Sequence, residues 1–310
     1  MKFPDSIADR IEMDASLADR TWLGIGGTAR YLFHPRSLDE LISVAGACVE
    51  ANEPLRVLGG GSNLLVRDGV DGVDGVVVSL DKIGTGSPDG GDAPNDVVWA
   101  GQKLSDAVLS AVAAGRGGLE HLIGIPGTVG GAIVTNANAG GRDIGSAVVS
   151  VDVLDANRGE IETVASEDIK FAHRTSSLGD RPIVSAKFRW TDGDERSLTQ
   201  RMQKLWINRR RSQPGQQDAQ PSGEQIDPTK RPRMAMPFTD PDAMSVNDLM
   251  RSAGLAGATE GAVMIDSTHP EFVVAGPDAT SDMCLRLIER VRDQIRSQMD
   301  LDLRLTLQIW

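Results

Sequence analysis

Leu58-Gly59-Gly60-Gly61-Ser62-Asn63-Leu64-Leu65-Val66 decides how the rest of the chain is read. It continues a strand-like Leu55–Leu58 and runs into a second apolar stretch. Three successive glycines let the backbone take φ > 0 and approach a ligand closely. Their N–H groups can converge on one concavity, a nest suited to pyrophosphate, with Ser62 and Asn63 adding side-chain donors. A tight turn between strands would use the same residues. Neither this stretch nor Gly24-Ile25-Gly26-Gly27 has the G-x-G-x-x-G spacing of a dinucleotide-binding helix, and no Walker-type Gly-Lys-Ser/Thr follows.

Further along stands Gly124-Ile125-Pro126-Gly127-Thr128-Val129-Gly130-Gly131-Ala132, followed by Asn136-Ala137-Asn138-Ala139-Gly140-Gly141. Pro126 fixes one φ, and the glycines leave a path with no side chain on one side. Such a surface can lie against a flat ring system; a glycine-rich crossing of packed elements is the plain structural alternative. Two clusters in one chain suit one elongated ligand carrying a diphosphate and a planar ring, and FAD is the expected cofactor. The cofactor-binding candidates are Gly59, Gly60, Gly61, Ser62, Asn63, Gly124, Ile125, Pro126, Gly127, Thr128, Val129, Gly130, Gly131 and Asn136.

Composition narrows the class. The 310 residues are 40% hydrophobic and 25% charged, an ordinary globular balance long enough to bury a core. Asp and Glu outnumber Lys and Arg by 44 to 32, a net charge of −12. That excludes bulk attraction to nucleic acid or an anionic membrane, though a local nest of amides can still hold phosphate. The two cysteines, Cys48 and Cys284, form neither a disulfide framework nor a metal-ligand cluster and fit a reducing compartment. No metal is expected. The N-terminal twenty residues lack an apolar core, and no run approaches the roughly 18 apolar residues of a membrane span. A cytoplasmic monomer is expected.

Elements follow from periodicity and punctuation. Ser37-Leu38-Asp39-Glu40 is a capping box opening a helix with Leu38, Leu41, Ile42, Ala45 and Val49 at helical spacing. Ser105 is expected to cap a second helix with Val108, Leu109 and Val112 on one face, closed by Gly115. Residues 83–96 and 215–233 are turn formers and polar residues, an exposed loop and a flexible insertion. Leu198–Arg211, Ser245–Ala253 and Thr280–Gln298 read as helices, and Leu301–Trp310 alternates as a closing strand. The cadence is α+β rather than doubly wound. The expected domains are 1–192, with α+β subdomains at about 1–82 and 97–192, and 193–310.

At the two glycine clusters the sequence resembles the UDP-N-acetylenolpyruvoylglucosamine reductases. The likeness includes Thr21-Trp22-Leu23-Gly24-Ile25-Gly26-Gly27, Phe171-Ala172-His173-Arg174-Thr175-Ser176, Ala253-Gly254-Leu255-Ala256-Gly257 and His269-Pro270-Glu271-Phe272-Val273-Val274. It runs over about residues 18–308, and the short link from Ser176 to Ile183 matches the subclass without the tyrosine loop. The resemblance implies a vanillyl-alcohol-oxidase-type flavin fold of two subdomains with a further domain over the substrate. It implies that NADPH reduces FAD, which passes hydride to an enolpyruvyl UDP sugar to give UDP-N-acetylmuramate for peptidoglycan.

The resemblance also implies three catalytic groups: an arginine, a proton-donating serine and a glutamate. Arg174 matches the arginine, with His173 at the preceding tyrosine. Met236 falls at the serine position, and a thioether has no transferable proton; Pro221-Ser222-Gly223 is a competing alignment in which Ser222 takes an earlier serine of the pattern. Arg304 falls at the glutamate position, or Thr306 after a two-residue slip. Thr239, Asp240 and Thr268 stand at a family lysine, an asparagine and a phosphate-contacting lysine. Arg210 and Asp240 are the substrate-binding candidates; Arg210 belongs to a run of cations, Arg201, Lys204, Arg209, Arg210 and Arg211, that also fits a solvated helix face. Three functions remain open. The chain is the flavin reductase with water or Thr239 as the acid, an FAD-binding homologue without the reductase step, or a flavin enzyme with another substrate.

Overall fold

The Ser37 hydroxyl accepts the Glu40 N–H at 3.3 Å and opens a helix over Leu38–Ala51, which Asn52 ends in the left-handed conformation at φ +53°. These coordinates come from a computed structural model that describes residues 1–69, 72–84, 96–211, 213–214, 233–241 and 244–310. Most of the expected 83–96 loop and nearly all of the 215–233 insertion lie outside the described residues. The helix buries Leu41, Val44, Ala45 and Cys48; Val49, expected on that face, falls at the edge of the stripe and is exposed. It shares a core with a four-stranded sheet ordered Glu12–Ser16, Thr28–Phe33, Val73–Val78, Leu55–Val57. Val73–Val78 runs parallel to both of its neighbours.

The second sheet is antiparallel, in the order Glu160–Ala165, Val148–Asp155, Ile183–Phe188, Val97–Trp99. Both its faces are covered. Val151, Val153, Ala186 and Phe188 enter one core with the helices Leu104–Ala113 and Val129–Val134, while Leu154 and Val184 enter the core of the first sheet. Ser105 does not cap Leu104–Ala113: Lys103 holds that position, and the Ser105 hydroxyl bonds Asp106 at 3.1 Å. Leu104, Ala107, Val108, Ala111 and Val112 form the buried stripe, leaving Leu109 exposed. Gly115, at φ +70°, follows this helix, as expected.

The chain divides into two compact units, one of residues 1–15, 29–60 and 73–207, the other of 16–28, 61–72 and 208–310. These are not the contiguous stretches 1–192 and 193–310. The helix Glu195–Arg211 buries Leu198 and Met202 in the first unit's core, which carries that unit past residue 192. In the second unit, Leu64–Leu65 pairs in parallel with Gln308–Ile309. That short pair, with a single bridge between Phe238 and Leu305, is all that forms of the closing strand expected over Leu301–Trp310. The rest of the second unit is an antiparallel sheet ordered Met234–Ala235, Val273–Ala275, Val263–Ile265, Thr259–Glu260. The helix Ser281–Met299 packs on it through Cys284, Leu287, Ile288, Val291 and Ile295, as its periodicity predicts. Among the described residues no helix is long and apolar enough to cross a membrane. The architecture is α+β.

Candidate functional site

Within the first unit the glycine clusters meet main chain to main chain. A Cβ on Gly60 would stand 2.6 Å from Gly127 Cα, and one on Gly59 would stand 2.9 Å from Thr128 Oγ1. Only residues without side chains allow that approach. Among the described residues the N–H groups of Gly59, Gly60, Gly124, Gly127 and Thr128 have no protein acceptor. Half-buried N–H groups with no protein acceptor are left open to water or to a ligand. Residues Gly124–Thr128 are half-buried, so this cradle is rich in donors and offers bare backbone to a flat ring and a diphosphate. It fits the flavin cofactor.

The other candidates divide by what their atoms already hold. Val129 and Gly130 give their N–H groups to Gln102 O and Ala100 O, both at 2.9 Å, and Val129 is 1% exposed. A Cβ on Gly130 would meet Ala100 Cβ at 3.0 Å. These two residues seat the Val129–Val134 helix. The Gly131 N–H bonds the Thr128 hydroxyl at 3.3 Å. In the second unit, Gly61 at φ +62° packs on Arg20, where an added Cβ would lie 2.0 Å from the carbonyl oxygen. Asn63 Nδ2 donates to Thr306 O at 2.7 Å, and Asn63 O accepts the Gln308 N–H at 3.0 Å. The side chain of Asn63 therefore ties the glycine motif to the C-terminal segment. Arg233 secures the Leu23-Gly24 stretch in the same unit, donating to Leu23 O at 3.0 Å and Gly276 O at 2.7 Å.

Arg174 sits in a hairpin loop between Phe171–Ala172 and Thr175–Ser176, half-buried, in the left-handed conformation at φ +59°. The hairpin belongs to the first unit and is tied to the second glycine cluster. The Ser176 hydroxyl donates to Val134 O at 3.1 Å, and Asn136 Nδ2 donates to Ala172 O at 3.0 Å. His173 is exposed.

In the second unit, Met236 is half-buried. The Thr306 hydroxyl donates to Pro237 O at 3.2 Å, and Thr239 N–H donates to Arg304 O at 3.2 Å. The side chain of Arg304 is exposed, so Thr306 is the residue of the C-terminal segment whose side chain meets Met236-Pro237. The Thr239 hydroxyl is buried and has no acceptor among the described residues. Asp240 Oδ1 accepts the Val246 N–H at 2.7 Å, satisfying the first N–H of the Val246–Ser252 helix that Ser245 caps. Arg210 lies half-buried in the last turn of Glu195–Arg211.

Arg201, the first of that run of cations, is ion-paired. Its Nη1 bonds Glu120 Oε1 at 2.9 Å, and Glu120 Oε2 accepts the Gly118 N–H at 2.6 Å. Glu120 is 2% exposed. Desolvation pushes its carboxyl up, but the Gly118 N–H, its own N–H and Arg201 outweigh that and hold it below the usual carboxylate range. The available signal was a lone acid in the apolar run Gly118–Gly124, since an acid is buried only when paired.

Residues 29–165 match the FAD-binding domain family, so fold and cradle together define a flavoprotein. Residues 227–310 match the C-terminal domain of UDP-N-acetylenolpyruvoylglucosamine reductase. The curated UDP-N-acetylenolpyruvoylglucosamine reductase of Rhodopirellula baltica is 42% identical over 308 residues, covering 99% of this chain and 95% of that protein. The Bradyrhizobium sp. protein of the same name is 32% identical over 98% of this chain and 96% of its own length. The crystal structure of the Thermus caldophilus reductase superposes with a TM-score of 0.78 at 28% identity, covering 97% of this chain and 99% of that one. The chain belongs to the UDP-N-acetylenolpyruvoylglucosamine reductase family.

Proposed function

We propose that this chain is an FAD-dependent reductase that takes hydride from NADPH and delivers it to the enolpyruvyl group of a UDP sugar, giving UDP-N-acetylmuramate. The observation that carries the proposal is likeness to a reductase of that name along 99% of the chain. The binding-only and other-substrate alternatives are not favoured, since the relatives alike along nearly the whole chain are named as reductases. A cytoplasmic monomer engaged in peptidoglycan synthesis completes the proposal.

Bound FAD supplies two-electron relay between nicotinamide and substrate. The N–H groups of Gly59, Gly60, Gly124, Gly127 and Thr128 would hold it. The Arg174 guanidinium would stabilise negative charge on the substrate, as a preorganised cation does best where water is excluded. Met236 moves no proton. The Thr239 hydroxyl, which has no acceptor among the described residues, or water would instead be the proton source for the carbon left electron-rich by hydride addition. A positioned acid contributes typically about 10²–10⁴ in rate, so turnover is expected to be slow rather than absent.

The test is a single turnover. The purified protein should absorb near 450 nm. After anaerobic reduction by NADPH, adding UDP-N-acetylenolpyruvoylglucosamine should restore that band. Tight binding of the sugar with no reoxidation would sink the reductase proposal in favour of a binding role. A colourless protein that takes up no FAD would sink both.

A further inference from the structure

Asn136 is 2% exposed and left-handed at φ +42°. Its carboxamide makes three hydrogen bonds to two separate segments. Nδ2 donates to Ala172 O at 3.0 Å and to Asp143 Oδ2 at 3.2 Å, while Oδ1 accepts the Gly145 N–H at 3.1 Å. Both amide hydrogens are thus committed to protein, which leaves the side chain no donor for a cofactor. Two of these bonds fix the turn Asp143–Gly145. The third fixes Ala172, which pairs with Thr175 across the hairpin that presents Arg174.

Arg174 itself is left-handed, a conformation a residue with a Cβ keeps only where its surroundings over-determine it. Asn136 and the Ser176–Val134 bond are the ties from the Val129–Asn136 segment to that hairpin. We infer that Asn136 is a positioning residue: it locks the 171–176 hairpin to the end of the glycine cluster and so sets where the Arg174 guanidinium stands. The inference rests on the reductase proposal for the role of Arg174, but the tie itself can be measured without substrate.

Two variants separate the bonds. Asn136→Gly keeps the left-handed freedom and drops all three bonds; Asn136→Asp keeps the acceptor for Gly145 and loses both amide donors. In protein without substrate, backbone amides of 171–176 should exchange hydrogen at least about tenfold faster in both variants. FAD affinity and flavin reduction by NADPH should stay within about threefold of wild type. Reoxidation by the UDP sugar should slow by about 10²-fold, the size that a small misplacement of a catalytic group produces. Arg174→Ala should lose reoxidation alike, and adding Asn136→Gly to it should cost less than about twofold more, because the two act through one group. Ser176→Ala should show the same pattern more weakly, and it serves if the Asn136 variants do not fold. Wild-type exchange in the hairpin, equal losses in FAD binding and both half-reactions, or additive losses with Arg174→Ala would each overturn the inference. Failure of wild-type protein to be reoxidised would instead overturn the reductase proposal, leaving the exchange comparison to judge the tie.

Discussion

Gly60 shows how little room the cofactor cradle leaves. Its φ is ordinary, so the objection to a side chain is steric: a Cβ would stand 2.6 Å from Gly127 Cα, a backbone atom that cannot swing away. Gly60→Ala should therefore cost about 1–3 kcal/mol of stability, the usual price of overpacking. It should weaken FAD binding by more than tenfold (about 1.4 kcal/mol). Thermal denaturation and a flavin titration check the two effects separately. Cys48 and Cys284 behave oppositely to reactive thiols. Burial pushes both up to about 12, with Glu53 adding to the effect at Cys48. The thiolate is the reactive form. Neither should react with a thiol reagent at pH 8 in the folded protein, and both should titrate in denaturant. Reaction of either in the native state would show that its core opens easily.

At the scale of elements, Glu120 and Arg201 join the turn before the second glycine cluster to the helix Glu195–Arg211. Because the folded carboxyl lies below its ordinary value of 4.5, its contribution is full above that value. The contribution is lost as pH falls through the lower, folded value. Glu120→Gln should flatten the fall in stability below pH 4.5 relative to wild type. At neutral pH it should cost about 1–3 kcal/mol for a buried site left imperfectly paired. Denaturant midpoints measured from pH 3 to 7 read both. Ser37→Ala should cost about 1 kcal/mol through loss of its cap, seen as a lower Tm. The helices Leu38–Ala51, Glu195–Arg211 and Ser281–Met299 were legible because long periodic stripes are local properties of the chain. Val49, Leu109 and the Ser105 cap were misread because the exact stripe a helix buries is chosen by what packs against it.

At the scale of the molecule, cofactor binding and folding are linked. A ligand that binds only the native state stabilises it by about 2.7 kcal/mol at a hundred times its Kd. The Tm should rise with added FAD in a concentration-dependent way, and a Tm indifferent to FAD would contradict the flavoprotein assignment. The class of the protein was written in residue types alone. Runs such as Gly59-Gly60-Gly61 and Gly124–Gly131 declare conformational freedom and absent side chains, and both are local facts. What each atom of those runs does was decided by partners far away in sequence. Asn63 is taken by Thr306, Asn136 by Ala172, and Arg201 by Glu120. The N–H groups of Val129 and Gly130 are taken by Gln102 and Ala100, and the closing strand shrinks to Gln308–Ile309. A residue type specifies which hydrogen bonds a group can make, but only the folded chain places one acceptor within 3 Å of it and so decides whether it is spent on structure or left for chemistry.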